Sequence, residues 1–178
     1  MPKPKKRKVV RKPARKAKPA KPVKMPASPV IKALQKAKVP FEVLWHKKAA
    51  WTSDEIAKER KRHVASIVKC LVLTDGTDYV VACLPGNMRV DTPKVREVLG
   101  TGKLEFAHEN ILKKLTGMAP GTSSPIGMKT ELPVIVDKAL AKRAKVSISS
   151  GNPKFGLELS GKDLVKLSKA KVAAISKK

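Results

Sequence analysis

Apolar positions along this chain fall into short blocks of two kinds, and the blocks begin only near Ser28. Val30, Ile31, Leu34 and Ala37 recur at helical spacing behind Ser28, a capping residue, and Pro29, which lacks the N–H that a first turn would leave unpaired. Pro40 stops that helix. Phe41 to His46 alternate as a strand, and Thr52-Ser53-Asp54-Glu55 has the spacing of a capping box opening a helix through about Arg62. Ile67–Leu73 and Tyr79–Leu84 are rich in β-formers and flank Asp75-Gly76, which predicts a hairpin pairing 74 with 79 and setting Cys70 opposite Cys83. Alternation then places Val68, Cys70 and Val72 on one face, and Lys69, Leu71 and Leu73 on the other.

Asp91 or Thr92 caps a further helix with Pro93 in its first turn and Gly100 or Gly102 past its end. Leu104–Ala107 reads as a short strand and Glu109–Thr116 as a helix ended by Gly117. Leu132–Val136, Lys145–Ser149 and Leu157–Leu159 read as strands, with a short helix near Asp137–Arg143 and a turn at Gly151-Asn152-Pro153. A last helix near Lys162–Leu167 precedes a strand-like Val172–Ile175. Helices and strands interleave without strict alternation, and several neighbouring strands are hairpins, so the expected sheet is mixed rather than doubly wound.

Charge divides the chain in two. Of its 178 residues, 40 are Lys or Arg against 14 Asp or Glu, a net charge of +26, and residues 1–24 hold nine Lys and three Arg with no acid. Prolines at 2, 4, 13, 19, 22 and 26 interrupt that segment, so residues 1–27 read as a disordered basic tail and 28–178 as one domain. The body is basic too, and a polyanion, nucleic acid first, is the expected partner. Lys5, Lys6, Arg7, Lys8 and Arg11 are the tail's candidate nucleic-acid contacts. Pro4-Lys5-Lys6-Arg7-Lys8-Val9 also resembles a short nuclear-import signal, so a solvated RNA-binding arm, an import signal and an engineered segment are all open. No apolar run reaches the roughly 20 residues that span a bilayer, and the expectation is a soluble, cytoplasmic chain without a membrane partner.

The chemistry-bearing templates are few. There is no G-x-S-x-G, H-E-x-x-H, C-x-x-C or P-loop, and Cys70 and Cys83 have no metal-ligand companions, so no metal is expected. His46, His63 and His108 are scattered, with His63 expected at the surface. Two features stand out. Lys69 interrupts an apolar strand, where a buried ammonium needs an anion or a cavity unless its stem lies along an exposed face. Gly121-Thr122-Ser123-Ser124-Pro125-Ile126-Gly127 combines small residues and hydroxyls, a loop whose N–H groups suit an anion or an ester carbonyl.

In order along the chain stand Val68-Lys69-Cys70-Leu71-Val72, Asp75-Gly76, Pro85-Gly86, Arg89-Val90-Asp91, Leu115-Thr116-Gly117, the Gly121–Gly127 loop, Leu132-Pro133-Val134, Val136-Asp137, Ser149-Ser150-Gly151 and Gly156-Leu157-Glu158-Leu159. With this series the chain, from Val30 onward, resembles the YbaK/prolyl-tRNA-synthetase-associated domain family, enzymes that hydrolyse wrongly aminoacylated tRNA. The resemblance implies an α/β (α+β) fold with a mixed, partly closed β-sheet surrounded by helices. It implies Lys69, Gly121 and Ser124 as catalytic residues, and His46, Thr122, Ser123, Pro125, Gly127, Ser149 and Gly151 as substrate-binding ones. It further implies substrate-assisted hydrolysis without a cofactor, a mischarged tRNA as partner and a prolyl-tRNA synthetase complex as its setting. The Ser124-Pro125-Ile126-Gly127 form looks like the branch that removes Cys from tRNA for proline, while Thr122-Ser123 departs from the apolar residues expected there and leaves removal of Ala, or of another amino acid, open. A tRNA-binding module without catalysis is the competing class.

Overall fold

The computed structural model describes residues 25–178; the tail expected to be disordered, with Lys5, Lys6, Arg7, Lys8 and Arg11, lies outside the described residues apart from its last three positions. Helix α1 (Pro29–Lys36) starts as its sequence dictates, with the Ser28 hydroxyl accepting from the N–H groups of Val30 and Ile31. Val30, Ile31 and Leu34 are buried, whereas Ala37, expected on the same face, is the exposed C-cap. Strand β1 (Glu42–Trp45) leads to α2 (Ser53–Arg60), whose capping box between Thr52 and Glu55 is fully formed. The helix ends two residues earlier than expected because Lys61 takes a left-handed conformation, φ 51°.

The hairpin of β2 (Val68–Thr74) and β3 (Tyr79–Pro85) has the expected register, pairing Thr74 with Tyr79 and Cys70 with Cys83. After β4 (Arg89–Val90) and α3 (Thr92–Leu99), β5 (Glu105–Phe106) pairs with the outer edge of β2. Helix α4 (Glu109–Thr116) ends at Gly117, left-handed at φ 71°. Then follow β6 (Val134–Asp137), α5 (Lys138–Ala141), β7 (Val146–Ser149), β8 (Phe155–Leu159), α6 (Gly161–Leu167), β9 (Lys171–Ala173) and β10 (Ser176–Lys177).

The strands form a five-stranded sheet, β5-β2-β3-β6-β9, and a three-stranded antiparallel one, β1-β8-β7, with a small β10-β4 ribbon. The larger sheet is itself mixed, since β2 and β3 are antiparallel while β3, β6 and β9 run parallel. A lone parallel bridge between Ile67 and Ser147 joins the two sheets where β2 begins, and this contact partly closes the structure. The β10-β4 ribbon was not foreseen, because two-residue strands carry no periodicity.

Burial follows the pleat. Val68, Val72, Val81, Cys83, Val134 and Val136 face the three-stranded sheet and α1, sharing a core with Ile148, Phe155 and Leu157. Leu73, Val80, Ala82 and Ile135 face the other way, toward Val95 of α3 and Ile175. Both faces of the large sheet are thus covered, which is why its central strands read as continuous apolar runs. Asp137 closes the chain end: one carboxylate oxygen caps α5 at Ala139 N–H (2.8 Å) and the other accepts from Ile175 N–H (3.0 Å). No helix among the described residues is long and apolar enough to cross a membrane.

Candidate functional site

The bridge at Ile67 and Ser147 leaves a cleft of about 370 Å³ between β2, the start of α2, the end of β7, β5 and the loop after α4. Lys69, Gly121, Ser123 and Ser149 line it, so these residues, far apart in sequence, meet in one cleft. Among the described residues, no three His, Cys, Asp or Glu side chains come close enough to hold a metal ion.

The 118–127 loop is built from its own hydrogen bonds. Thr122 is buried, with its N–H (3.0 Å) and its hydroxyl (2.8 Å) both donating to the Ala119 carbonyl. Ser124 is buried as well; its N–H donates to the Met118 sulfur at 3.3 Å and its hydroxyl oxygen accepts from Ile126 N–H at 3.4 Å. These two therefore shape the loop instead of lining the cleft. The N–H groups of Gly121 and Ser123 have no acceptor among the described residues, and both residues face the cleft. Ser149 ties this loop to β7 by donating from its hydroxyl to the Thr122 carbonyl (2.6 Å), and Gly151 N–H donates back to the Ser149 hydroxyl (3.3 Å). Pro125 and Gly127 lie on the far side, in a separate groove against α1. A Cβ at Gly127, φ 74°, would stand 2.8 Å from the Pro29 carbonyl carbon, so only glycine allows the loop exit to pack on α1.

Lys69 resolves the question raised by its position. Its stem is half-buried along the cleft, and its ammonium donates to the Met88 carbonyl beyond β3. Burial, and then the charge of Arg89, hold its pKa below the ordinary lysine value. One donor of three is used, which leaves two for a ligand. Cys70 lines the same cleft, and its sulfur lies 3.7 Å from that of the buried Cys83.

A second cation of the site, Arg60, was not singled out from sequence. Arg60 is only 5% exposed, borders the cleft and has no carboxylate partner among the described residues. Its Nε donates to His46 Nε2 (2.8 Å), and one terminal nitrogen donates to Ser147 Oγ (2.8 Å) and the Ile148 carbonyl (3.0 Å). Burial lowers its pKa to about 10, so at neutral pH it stays a cation held by neutral acceptors. A Cβ on Gly156 would lie 2.0 Å from the guanidinium carbon, so that glycine makes the space. The sequence held one signal: Arg60 shares the buried face of α2 with Ala57, three residues earlier. His46 is therefore brought to Arg60 and to the Pro153 carbonyl (2.7 Å), with both ring nitrogens engaged outside the cleft lining. His63 is exposed and caps the 3-10 turn Val64–Ser66.

This geometry can hold an anionic or carbonyl oxygen near cations while excluding little of the surrounding solvent. Residues 47–167 match the aminoacyl-tRNA editing domain family. The protein named "Putative Cys-tRNA(Pro)/Cys-tRNA(Cys) deacylase EbsC" of Enterococcus faecalis is 27% identical over 154 residues, 83% of this chain and 92% of that one. The prolyl-tRNA editing protein ProX of Acetoanaerobium sticklandii is 29% identical over 147 residues, 79% of this chain and 89% of the relative. The proline–tRNA ligase of Geotalea daltonii matches only a segment, 36% identical over 87 residues, or 15% of the ligase. A solved structure of "a putative trans-editing enzyme for prolyl tRNA synthetase" superposes with a TM-score of 0.76 at 27% identity, over 84% of this chain and 96% of that one. The family model, the relatives and the solved structure coincide, and the chain belongs to the aminoacyl-tRNA editing domain family.

Proposed function

We propose that the chain is a free-standing deacylase that hydrolyses the ester between a wrong amino acid and tRNA, with Cys-tRNA for proline as principal substrate. The relatives that match it along most of their length carry names of that kind, whereas the synthetase match covers one segment of a larger enzyme. The observation that carries the reading is that Gly121 and Ser123, whose backbone N–H groups have no acceptor among the described residues, line one cleft with Lys69.

Water attacks the ester carbonyl carbon, and the oxygen that becomes negative is held by the N–H groups of Gly121 and Ser123. Lys69 supplies positive charge to the same transition state or to the adjoining phosphate. The attacking water gives its proton to the substrate, at its α-amino group or free ribose hydroxyl. The carbonyl–ribose oxygen bond then breaks, the ribose oxygen takes the proton, and free amino acid and intact tRNA leave. No protein base is required, which fits a cleft whose lining holds one carboxylate, Glu109, exposed at the start of α4.

Thr122 is buried, so its departure from an apolar residue does not touch the substrate; Ser123, which lines the cleft, is the loop side chain placed to influence amino-acid choice. The twelve cations of residues 1–24 add tRNA affinity through phosphate contacts or through a synthetase–tRNA complex. A panel of mischarged tRNAs, with Cys, Ala, Ser and Thr on tRNA for proline, tests the reading. Release is expected to be fastest for Cys; binding without release from any member would instead establish a non-catalytic module.

A further inference from the structure

We propose that Trp51 and Phe106 form a stacking site for the unpaired 3′-terminal base of the tRNA, on the rim of the same cleft; the inference rests on the deacylase reading above. The whole chain has six aromatic residues. Phe155 is buried in the core, Phe41 and Tyr79 pack against it half-buried, and the Trp45 ring leans on Phe155 with centroids 5.3 Å apart. Trp51 and Phe106 have no such task. They are 52% and 59% exposed, come from the turn before α2 and from edge strand β5, and both line the cleft. Two large rings exposed on the lining of one cleft offer it flat apolar faces.

The ester's own chemistry says which partner. The amino acid and the terminal base hang from the same ribose, so an ester carbonyl at Gly121 and Ser123 leaves the base within one sugar of that loop. The Trp51 ring is there: a Cβ built on Gly121 would stand 3.4 Å from Trp51 Cε3. A tRNA 3′ end is single-stranded, and unpaired bases are bound by stacking on aromatic faces. The cations Arg60 and Lys69 within the same cleft suit the adjoining phosphate. Stacking does not depend on which tRNA carries the base, so this site supplies affinity for any tRNA end and leaves amino-acid choice to the loop.

The test compares Cys-tRNA for proline with the same molecule lacking its terminal base, on the full chain and on Trp51→Phe, Trp51→Leu and Phe106→Leu. On the complete substrate Trp51→Leu is expected to raise KM about tenfold and Phe106→Leu less, with kcat nearly unchanged and Trp51→Phe close to the parent. The abasic substrate should show a similar rise with the parent protein, and Trp51→Leu should add little to it. Leucine variants that leave KM within about twofold, or that weaken complete and abasic substrates equally, overturn the proposal. Binding of uncharged RNA separates this from failure of the deacylase reading. In a Trp45→Phe background, where Trp51 is the remaining tryptophan, RNA ending in an unpaired adenine should quench fluorescence and its abasic counterpart should not; equal quenching by both overturns the stacking site, whether or not the ester is hydrolysed or the leucine variants fold.

Discussion

Arg60 Nε donates to His46 Nε2 at 2.8 Å, while Nδ1 of the same ring lies 2.7 Å from the Pro153 carbonyl. A carbonyl can only accept, so Nδ1 carries the ring proton and Nε2 keeps its lone pair for Arg60. His46 is thus a neutral acceptor that helps to satisfy a buried cation. Ser147 and Ile148 take the other hydrogen bonds from Arg60, and the next residue along β7, Ser149, holds the Thr122 carbonyl. A line of direct contacts connects the buried guanidinium with the loop that presents Gly121 and Ser123.

Stability should fall with acid before the carboxylates titrate. Burial chiefly, and the Arg60 charge with it, hold the His46 pKa below its ordinary 6.5, against the opposing pull of the Pro153 carbonyl and Glu59. Between the folded pKa and 6.5 the unfolded chain binds more protons, so stability is full above that range and declines as pH drops through it, levelling off once the native ring is protonated. Glu158, held low chiefly by its hydrogen bond to Arg62 and also by Lys145, adds a loss of the same sign at more acidic pH. Melting temperatures from pH 7.5 to 5.5 should decrease; a flat or rising series contradicts the His46 assignment.

Gly156→Ala is expected to destabilise the fold by about 3 kcal/mol, since the new methyl group displaces a guanidinium that makes three hydrogen bonds. Urea unfolding measures it. In an Arg60→Leu background the same substitution should be much milder, and equal penalties in both backgrounds would show that the clash is relieved elsewhere.

Ser149→Ala removes the 2.6 Å bond to the Thr122 carbonyl while leaving the cleft wall in place. The expected outcome is a fall in kcat of about fivefold to tenfold, the worth of one hydrogen bond, with a small change in melting temperature. A raised KM with unchanged kcat would mean that Ser149 binds substrate and does not position the loop.

Most elements that rest on neighbouring residues were legible in the sequence. The Ser28 cap, the Thr52–Glu55 box, the Asp75-Gly76 hairpin and the Gly117 stop all involve partners within a few positions. What escaped depends on distant partners. The loop composition suggested N–H groups for an anion or ester carbonyl, but Met118 and Ala119 accept from those of Ser124 and Thr122, while those of Gly121 and Ser123 have no acceptor among the described residues. In sequence Arg60 is one more charge on a helix of mixed sign; Ser147 and Ile148, almost ninety residues away, are what close over it. The Ile67–Ser147 bridge that joins the two sheets likewise links distant residues, and no local pattern announces it.

Removal of residues 1–24 takes away twelve positive charges and should weaken tRNA binding, flatten its dependence on salt and leave turnover at saturating tRNA nearly unchanged. Binding isotherms at several salt concentrations, with single-turnover rates beside them, check this. An equal loss of turnover would place the segment in the active site.

The central claim turns on Lys69, whose ammonium has two donors to spare and which lines the same cleft as Gly121 and Ser123. The most direct measurement is the single-turnover release of cysteine from Cys-tRNA for proline by the full chain and by Lys69→Ala, with tRNA binding measured on both. The account predicts rapid release by the parent, a loss of at least about a hundredfold in the variant and affinities that differ only slightly. Undiminished release by Lys69→Ala, or none by the parent, would contradict it.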